Sequence, residues 1–111
     1  MKRGEIYFAN LDPTIGSEIK KKRPVLIISN NANNKVAATV TVIPLTSNTL
    51  KVYPFEVLLP ISDSSLPKNS KAQCHQIRTI SKMKIEGKKV GDISDMVMLR
   101  IVSALRLHLG F

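Results

Sequence analysis

The sequence contains few cysteines, aromatic residues and histidines, and each shortage argues against one kind of structure or binding site. The single cysteine, Cys74, rules out an internal disulfide, which argues against an oxidising compartment. Aromatic residues make up 5% of the chain, so base stacking can contribute little to any recognition of nucleotides. His75 and His108 are far apart, and the only close carboxylates, Asp92 and Asp95, flank a helix start, so neither a metal site nor a cofactor is predicted. No apolar run of signal-peptide or membrane-spanning length is present, so we expect a cytoplasmic protein without a membrane contact.

Acidic residues are also scarce, and basic residues dominate the charge. The chain has 17 Lys and Arg against 8 Asp and Glu, a formal net charge of +9. This excess favours an anionic partner, either nucleic acid, an acidic protein or a membrane surface, although the charge could also serve only to keep the chain soluble. The 43% hydrophobic content excludes a disordered chain. The length of 111 residues predicts a single domain spanning residues 1–111.

Most of the chain has the composition of short β-strands separated by polar loops. Alternating or β-branched segments predict strands at Glu5–Leu11, Val25–Ser29, Ala38–Thr46, Tyr53–Leu59 and Lys71–Ser81, with a short extended piece at Val90–Ile93. Exposed loops are predicted at Asp12–Lys22 and Ser62–Lys71, and a turn at Asn30–Asn34. Pro44 cannot donate to a ladder, which predicts an edge or bulge just before Leu45.

Only the C-terminus has a helical pattern. Ser94 is a good N-cap, Gly110 is a natural stop, and Met98, Val102, Leu105 and Leu109 recur at helical spacing, with Ile101 beside them. The predicted fold class is therefore mainly β with a C-terminal α-helix, arranged as a small, mostly antiparallel barrel or half-open sheet.

The most informative stretch runs from Lys20 to Ser29, where four cations precede the most apolar run of the chain. Such a junction belongs at a rim, with the cations in water or on an anion and the strand in the core. Pro24 disfavours the helical region for Arg23, so the guanidinium should stand at the mouth of a buried strand.

Several polar residues are candidates for chemistry, and each also has a structural explanation. The candidates are Arg23, Thr46, Glu18, Ser17, Gln76, Arg78 and His75. Thr46 could cap a turn, Glu18 could screen the lysines, and Gln76 with Arg78 could form a hydrogen-bond ladder. Because His75 points to the opposite face of a strand from Gln76 and Arg78, we interpret it as structural or interfacial.

Six segments in register resemble the MazF/PemK toxins of bacterial toxin–antitoxin systems. They are Arg3-Gly4-Glu5-Ile6-Tyr7, Leu11-Asp12-Pro13-Thr14 with Gly16-Ser17-Glu18, Arg23-Pro24-Val25-Leu26-Ile27, Pro44-Leu45-Thr46-Ser47, Tyr53-Pro54-Phe55-Glu56-Val57 and Gln76-Ile77-Arg78-Thr79-Ile80. The resemblance implies an SH3-like barrel and a homodimeric, metal-independent endoribonuclease. It further implies a single-stranded RNA substrate and a cognate antitoxin, which the net charge predicts to be acidic.

The resemblance also implies roles for individual residues. Arg23 and Thr46 correspond to the main catalytic residues of the family, and Glu18 is a candidate general base. The other expected RNA contacts are Gly16 and Ser17 in a mobile loop, the lysines Lys20, Lys21 and Lys22, and Ser47, Gln76 and Arg78. The family commonly has an acidic residue where this chain has His75, which changes the electrostatics at that position.

The chemistry of metal-free RNA cleavage fits these residue types. The 2′-hydroxyl attacks the adjacent phosphorus, and negative charge accumulates on oxygens that Arg23 and Thr46 can meet with donors. The expected products are a 2′,3′-cyclic phosphate and a 5′-hydroxyl. Two alternatives remain open from the sequence: a toxin of the same fold that poisons a topoisomerase by protein contact, and a noncatalytic nucleic-acid-binding module.

Overall fold

The computed structural model describes residues 1–11 and 22–111, which form seven strands and three α-helices. The strands are β1 (Glu5–Asn10), β2 (Lys22–Ile27), β3 (Thr39–Thr46), β4 (Glu56–Leu59), β5 (Ser70–Gln73), β6 (Arg78–Ser81) and β7 (Ile85–Asp92). The helices are α1 (Asn31–Val36), α2 (Ile61–Ser64) and α3 (Asp95–Leu109). The predicted loop at Asp12–Lys22 lies outside the described residues except for Lys22, which begins β2.

The strands form one sheet in the order β4-β5-β3-β2-β1-β7, with β6 also paired to β3. Every pairing within the described part of the chain is antiparallel. The predicted fold class, a mostly antiparallel sheet with a C-terminal helix, is confirmed, and the sheet stays open rather than closing into a tight barrel.

Apolar side chains cover both faces of this sheet. One cluster includes Leu26, Ile43 and Leu45 and extends to α3 through Met98 and Ile101. The other cluster contains Ala9, Leu11, Val25, Ile27, Val40, Val42 and Ile80. Because successive residues of β2 enter different clusters, β2 is the central strand, buried on both faces, that its apolar run predicted.

The C-terminal helix begins and ends where its caps predict. The Ser94 hydroxyl accepts a hydrogen bond from the Val97 N–H at 3.2 Å, and Gly110 adopts φ 79° at the C-terminus. Met98 and Ile101 are buried as expected. Leu109, which the helical spacing predicted to lie on the buried face, is 47% exposed. None of the helices in the described ranges is long and apolar enough to cross a membrane.

The predicted fifth strand is wrong in one respect, because it is broken in two. β5 pairs with Leu45 and Thr46, β6 pairs with the segment 39–42, and a 3-10 turn at Cys74–Gln76 separates them. The missing N–H of Pro44 falls at this interruption, where the ladder changes partner. The alternation that set His75 opposite Gln76 and Arg78 therefore does not hold, since it assumed one continuous strand.

Other boundaries also differ from the predictions. Segment 30–34 is not a simple turn, because the Asn30 side chain accepts from the Asn33 N–H at 2.8 Å and so starts α1. Helix α2 begins at Ile61 and occupies the start of the predicted 62–71 loop. β4 is shorter than predicted, and β7 begins at Ile85, ahead of the predicted extended piece at Val90–Ile93. Gly91 on β7 packs so closely on α2 that an added Cβ would lie 2.4 Å from the Ser64 carbonyl oxygen.

Candidate active site

Arg23 and Thr46, which lie 23 residues apart in the chain, meet where β2 begins and β3 ends. The ladder pairs Val25 with Pro44 and Ile27 with Val42, and the same register continued outward places Thr46 opposite Arg23. The Arg23 Nη1 atom lies 3.5 Å from the Thr46 Oγ1 atom. Both side chains are half-buried, so the pair is held by strands and still open to solvent.

The Thr46 hydroxyl is oriented by its neighbours. Its oxygen accepts from the Asn48 N–H at 3.2 Å as well as facing the guanidinium, so the hydroxyl proton remains available for a further acceptor. The turn-capping role that could have explained Thr46 structurally is therefore present. The same hydroxyl can also donate a hydrogen bond to an anion bound beside Arg23.

The pair opens onto a cavity of about 540 Å³ at the end of the sheet. Its polar lining comes from three cations and three hydroxyl-bearing residues: Lys22, Arg23, Lys68, Thr46, Ser47 and Ser70. Its apolar lining comes from Phe8, Pro24, Leu45, Leu66, Pro67 and Val90. The cavity therefore combines a cationic rim with an apolar wall, which suits a ligand that carries both phosphate and an apolar face.

Lys22 has two interactions at the edge of this cavity. Its Nζ atom lies 3.1 Å from a Glu86 carboxylate oxygen and 5.6 Å from the centroid of the Phe8 ring. The lysine and glutamate side chains are 55% and 44% exposed, and an ion pair so exposed contributes little to stability. Lys22 can therefore exchange the carboxylate for a phosphate at small cost.

The remaining predicted site residues divide into three groups. Ser47 is exposed and lines the cavity. Gln76 and Arg78 line a different depression of about 400 Å³, together with His75, so within one chain they are not brought to the Arg23–Thr46 pair. Five predicted residues lie outside the described residues: Gly16, Ser17, Glu18, Lys20 and Lys21.

Sequence reasoning did not single out several residues that the structure brings to the cavity. Lys68 and Ser70 come from the 62–71 segment, which was interpreted only as a loop. Their signal was a basic residue in a Ser- and Asn-rich segment, which is weak by itself. Phe8 was assigned only to a strand. Its place in the cavity depends on how β1 pairs with β7, which the strand pattern does not show.

Cys74 and the candidate His75 do not line the cavity. Burial, together with the charge of Glu56, raises the pKa of the Cys74 thiol to about 12, so it is poorly suited to act as a nucleophile. His75 packs edge-on to the Phe55 ring at 4.5 Å and lies 6.3 Å from the His108 ring. Burial lowers the pKa of His75. These contacts agree with a structural role for His75.

The relatives of the chain are consistent along its whole length. A family profile described as PemK-like, MazF-like toxin of type II toxin-antitoxin system matches residues 2–109. The endoribonuclease MazF9 of Mycobacterium tuberculosis is 40% identical over 114 residues, which cover 98% of this chain and 96% of that protein. The endoribonuclease EndoA of Bacillus subtilis is 34% identical over 111 residues, which cover 99% of this chain and 95% of that protein.

Solved structures agree with these sequence matches. MazF from Deinococcus radiodurans superimposes with a TM-score of 0.86 at 26% identity, covering 100% of this chain and 97% of that one. A mycobacterial endoribonuclease in complex with its cognate antitoxin superimposes with a TM-score of 0.80 at 30% identity, covering 100% and 96%. By its sequence and by its fold, the chain belongs to the family of PemK-like, MazF-like toxins of type II toxin–antitoxin systems.

Proposed function

We propose that this toxin is a sequence-selective endoribonuclease that cleaves single-stranded messenger RNA without a metal ion, through Arg23 and Thr46. The class of the activity comes from the relatives, since proteins 40% and 34% identical over nearly the whole chain are endoribonucleases, and this chain is an enzyme of that class. The observation that supports the assigned residues is the 3.5 Å approach of Arg23 to Thr46 at the mouth of a cation-rimmed cavity.

The two side chains can stabilise the charge that develops during cleavage. When the 2′-hydroxyl attacks, the phosphorane carries more negative charge than the substrate. The guanidinium of Arg23 donates hydrogen bonds to two of the phosphorane oxygens, and the Thr46 hydroxyl donates a hydrogen bond to one. Strands hold both groups before substrate arrives, so little reorganisation is needed in the transition state. The P–O5′ bond then breaks, which leaves a 2′,3′-cyclic phosphate and a 5′-hydroxyl.

The proton of the 2′-hydroxyl needs an acceptor that Arg23 cannot supply, because a guanidinium does not ordinarily lose a proton. Glu18, or a water that it orients, is the proposed general base, because a carboxylate can accept the proton that Arg23 cannot. The leaving 5′-oxygen takes a proton from water, which gives the 5′-hydroxyl.

The preference for single strands follows from geometry. An A-form duplex holds the 2′-hydroxyl away from the in-line position behind its phosphorus, so the strand must be free to rotate. The proposed phosphate guides are Lys22, Lys68 and the preceding lysines Lys20 and Lys21. Binding should therefore weaken steeply as salt rises.

The proposed partners are single-stranded RNA, a cognate antitoxin and a second copy of the chain. The antitoxin is proposed to be acidic, since the toxin carries a net charge of +9, and a related mycobacterial endoribonuclease is known in complex with its antitoxin. Because messenger RNA is the proposed substrate, the proposed place of action is the cytoplasm. Native co-purification and light scattering of the toxin test the two protein partners.

The decisive experiment maps cleavage ends on a long mixed-sequence RNA incubated with the toxin in EDTA. We expect wild type to cut at a short recurring sequence and to leave 2′,3′-cyclic phosphate ends. Arg23→Ala should lose the activity, whereas Arg106→Ala, which removes an exposed guanidinium from α3, should keep it. Cutting that disappears in EDTA would contradict the metal-free mechanism, and cutting retained by folded Arg23→Ala would contradict the assigned residue.

A further inference from the structure

The cavity beside Arg23 has an apolar half that phosphate chemistry does not explain. Leu45 and Leu66 form its floor and are 0% and 5% exposed. Phe8, Pro67 and Val90 stand around them. A backbone phosphate has no use for such a surface, whereas an apolar wall next to a cationic rim matches the two ends of a nucleotide.

Phe8 is the residue of this wall that can recognise a flat ligand. It lies in the middle of β1, paired with Pro24 on one side and with Glu86 on the other, so its backbone is fixed by two ladders. Its side chain is half-buried, which leaves part of the ring accessible from the cavity. An aromatic ring held in this way offers a stacking surface at little entropic cost.

A cation lies over the proposed stacking surface, and a second lines the same cavity. The Lys22 ammonium lies 5.6 Å from the Phe8 centroid, and Arg23 follows Lys22 directly on β2. A base placed against Phe8 would therefore carry its own phosphate within reach of Lys22 or Arg23. One nucleotide could fill the apolar and the cationic halves of the cavity together.

We propose that Phe8, with Leu45, Leu66 and Val90, forms a base-binding subsite for a nucleotide that flanks the scissile phosphate. This inference rests on the proposed RNA cleavage at Arg23 and Thr46. Stacking on Phe8 orients the flanking nucleotide and so contributes to the rate of cleavage. The low aromatic content predicted little stacking. Phe8 is nevertheless one of the few aromatic residues of the chain, and the pairing of β1 with β7 helps to place it in the cavity that Arg23 and Thr46 line.

A cycle of protein and RNA changes tests the subsite. The substrate is a short RNA containing the mapped cleavage sequence, either intact or with an abasic nucleotide on the 5′ or the 3′ side of the scissile phosphate. Wild type should lose about tenfold in kcat/KM for the abasic RNA on one side, since stacking of one base contributes roughly that much. Phe8→Leu should lose a similar factor on intact RNA and lose almost nothing more on that abasic RNA.

Two control variants separate stacking from bulk and from general damage. Phe8→Tyr keeps the ring and should therefore keep the roughly tenfold difference between intact and abasic RNA. Tyr53→Leu removes an exposed ring outside the cavity and should keep the full sensitivity to the abasic change. The loss from Phe8→Leu and the loss from the abasic nucleotide could instead multiply independently, whichever side of the phosphate is abasic. That result would overturn the subsite while leaving the proposed cleavage intact. Absence of cleavage by wild type would overturn both.

A crosslinking measurement gives a result even if Phe8→Leu fails to fold. The wild-type toxin binds an RNA whose attacking nucleotide is 2′-deoxy, so that it cannot be cut, with 5-iodouracil as the flanking base on either side. Irradiation should attach the RNA to the β1 segment Glu5–Asn10. Attachment exclusively to the depression lined by Gln76 and Arg78 would overturn the inference.

Discussion

Two cation–oxygen pairs lie next to one another in the sheet and differ in what surrounds them. Thr46 of the Arg23–Thr46 pair is the register partner of Lys71, which forms an ion pair with Glu56 at 3.0 Å. The Lys71 and Glu56 side chains are 10% and 2% exposed. Arg23 and Thr46 are half-buried and 3.5 Å apart, at the mouth of a cavity.

The two pairs differ in burial and in the protein groups around them. The Lys71 ammonium also donates to the Lys51 carbonyl at 2.6 Å, and the Glu56 carboxylate also accepts from the Tyr53 N–H at 3.0 Å. This pair ties the segment before β4 to β5. At the Arg23–Thr46 pair, the Thr46 oxygen accepts from the Asn48 N–H and faces the guanidinium, and its own proton can still be donated to a ligand in the cavity. We therefore propose that one pair serves the fold and the other the substrate.

Breaking the buried pair should have the largest effect, and on stability. Lys71→Ala leaves a buried carboxylate without its cation, which costs about 3–5 kcal/mol in the free energy of unfolding. Urea unfolding measures the change. The double variant Lys71→Met with Glu56→Leu should be more stable than Lys71→Ala, because it leaves no unpaired carboxylate. The opposite order would mean that the unpaired Glu56 carboxylate is not the main cause of the destabilisation in Lys71→Ala.

Removing the guanidinium at the cavity should affect the rate and spare the fold. Arg23→Ala should lower kcat about 10²- to 10³-fold, because one strong donor to the transition-state oxygens is lost. Its free energy of unfolding should fall by less than that of Lys71→Ala, because Arg23 is half-buried whereas the Lys71 side chain is only 10% exposed. A stability loss as large as that of Lys71→Ala would erase the distinction between the two pairs.

Removing the hydroxyl should have a smaller effect on both quantities. Thr46→Val keeps the shape of the side chain but loses a neutral donor and the acceptor for the Asn48 N–H. We expect about a tenfold loss in kcat and about 1 kcal/mol in stability, as for single neutral hydrogen bonds. Thr46→Ser should recover most of both, and failure of that rescue would assign Thr46 a packing role.

The smallest expected effect is on the pH dependence of the free energy of unfolding, and it comes from His75 near the buried Lys71–Glu56 pair. Burial lowers the pKa of His75 below 6.5, Glu56 raises it, and His108 and Lys71 lower it further. The unfolded chain therefore binds this proton more readily, so the stability involved is complete above pH 6.5 and is lost as the pH falls below it. His75→Gln should flatten the decline in unfolding free energy between about pH 7 and pH 5. An unchanged slope for His75→Gln would contradict the prediction.

The parts of the fold that sequence reasoning predicted well are those governed by nearby residues. Ser94 and Gly110 delimit α3 because capping involves atoms a few positions away. The apolar run after Pro24 identified the central strand for the same local reason. The break between β5 and β6 was missed because it depends on where β3 changes partner, which no pattern within 71–81 encodes.

For the site, the sequence by itself determined that Arg23 is extended before Pro24, at the junction of a cationic run and a buried strand. Its partnership with Thr46 was predicted from family resemblance, and the β2–β3 register places the two side chains together. Only the tertiary structure decided that Phe8, Lys68 and Ser70 join them, and that Gln76 and Arg78 do not. The physical reason is that strand register and the turning of one strand onto another are set by packing between distant segments, whereas a sequence pattern reports only the preferences of neighbours.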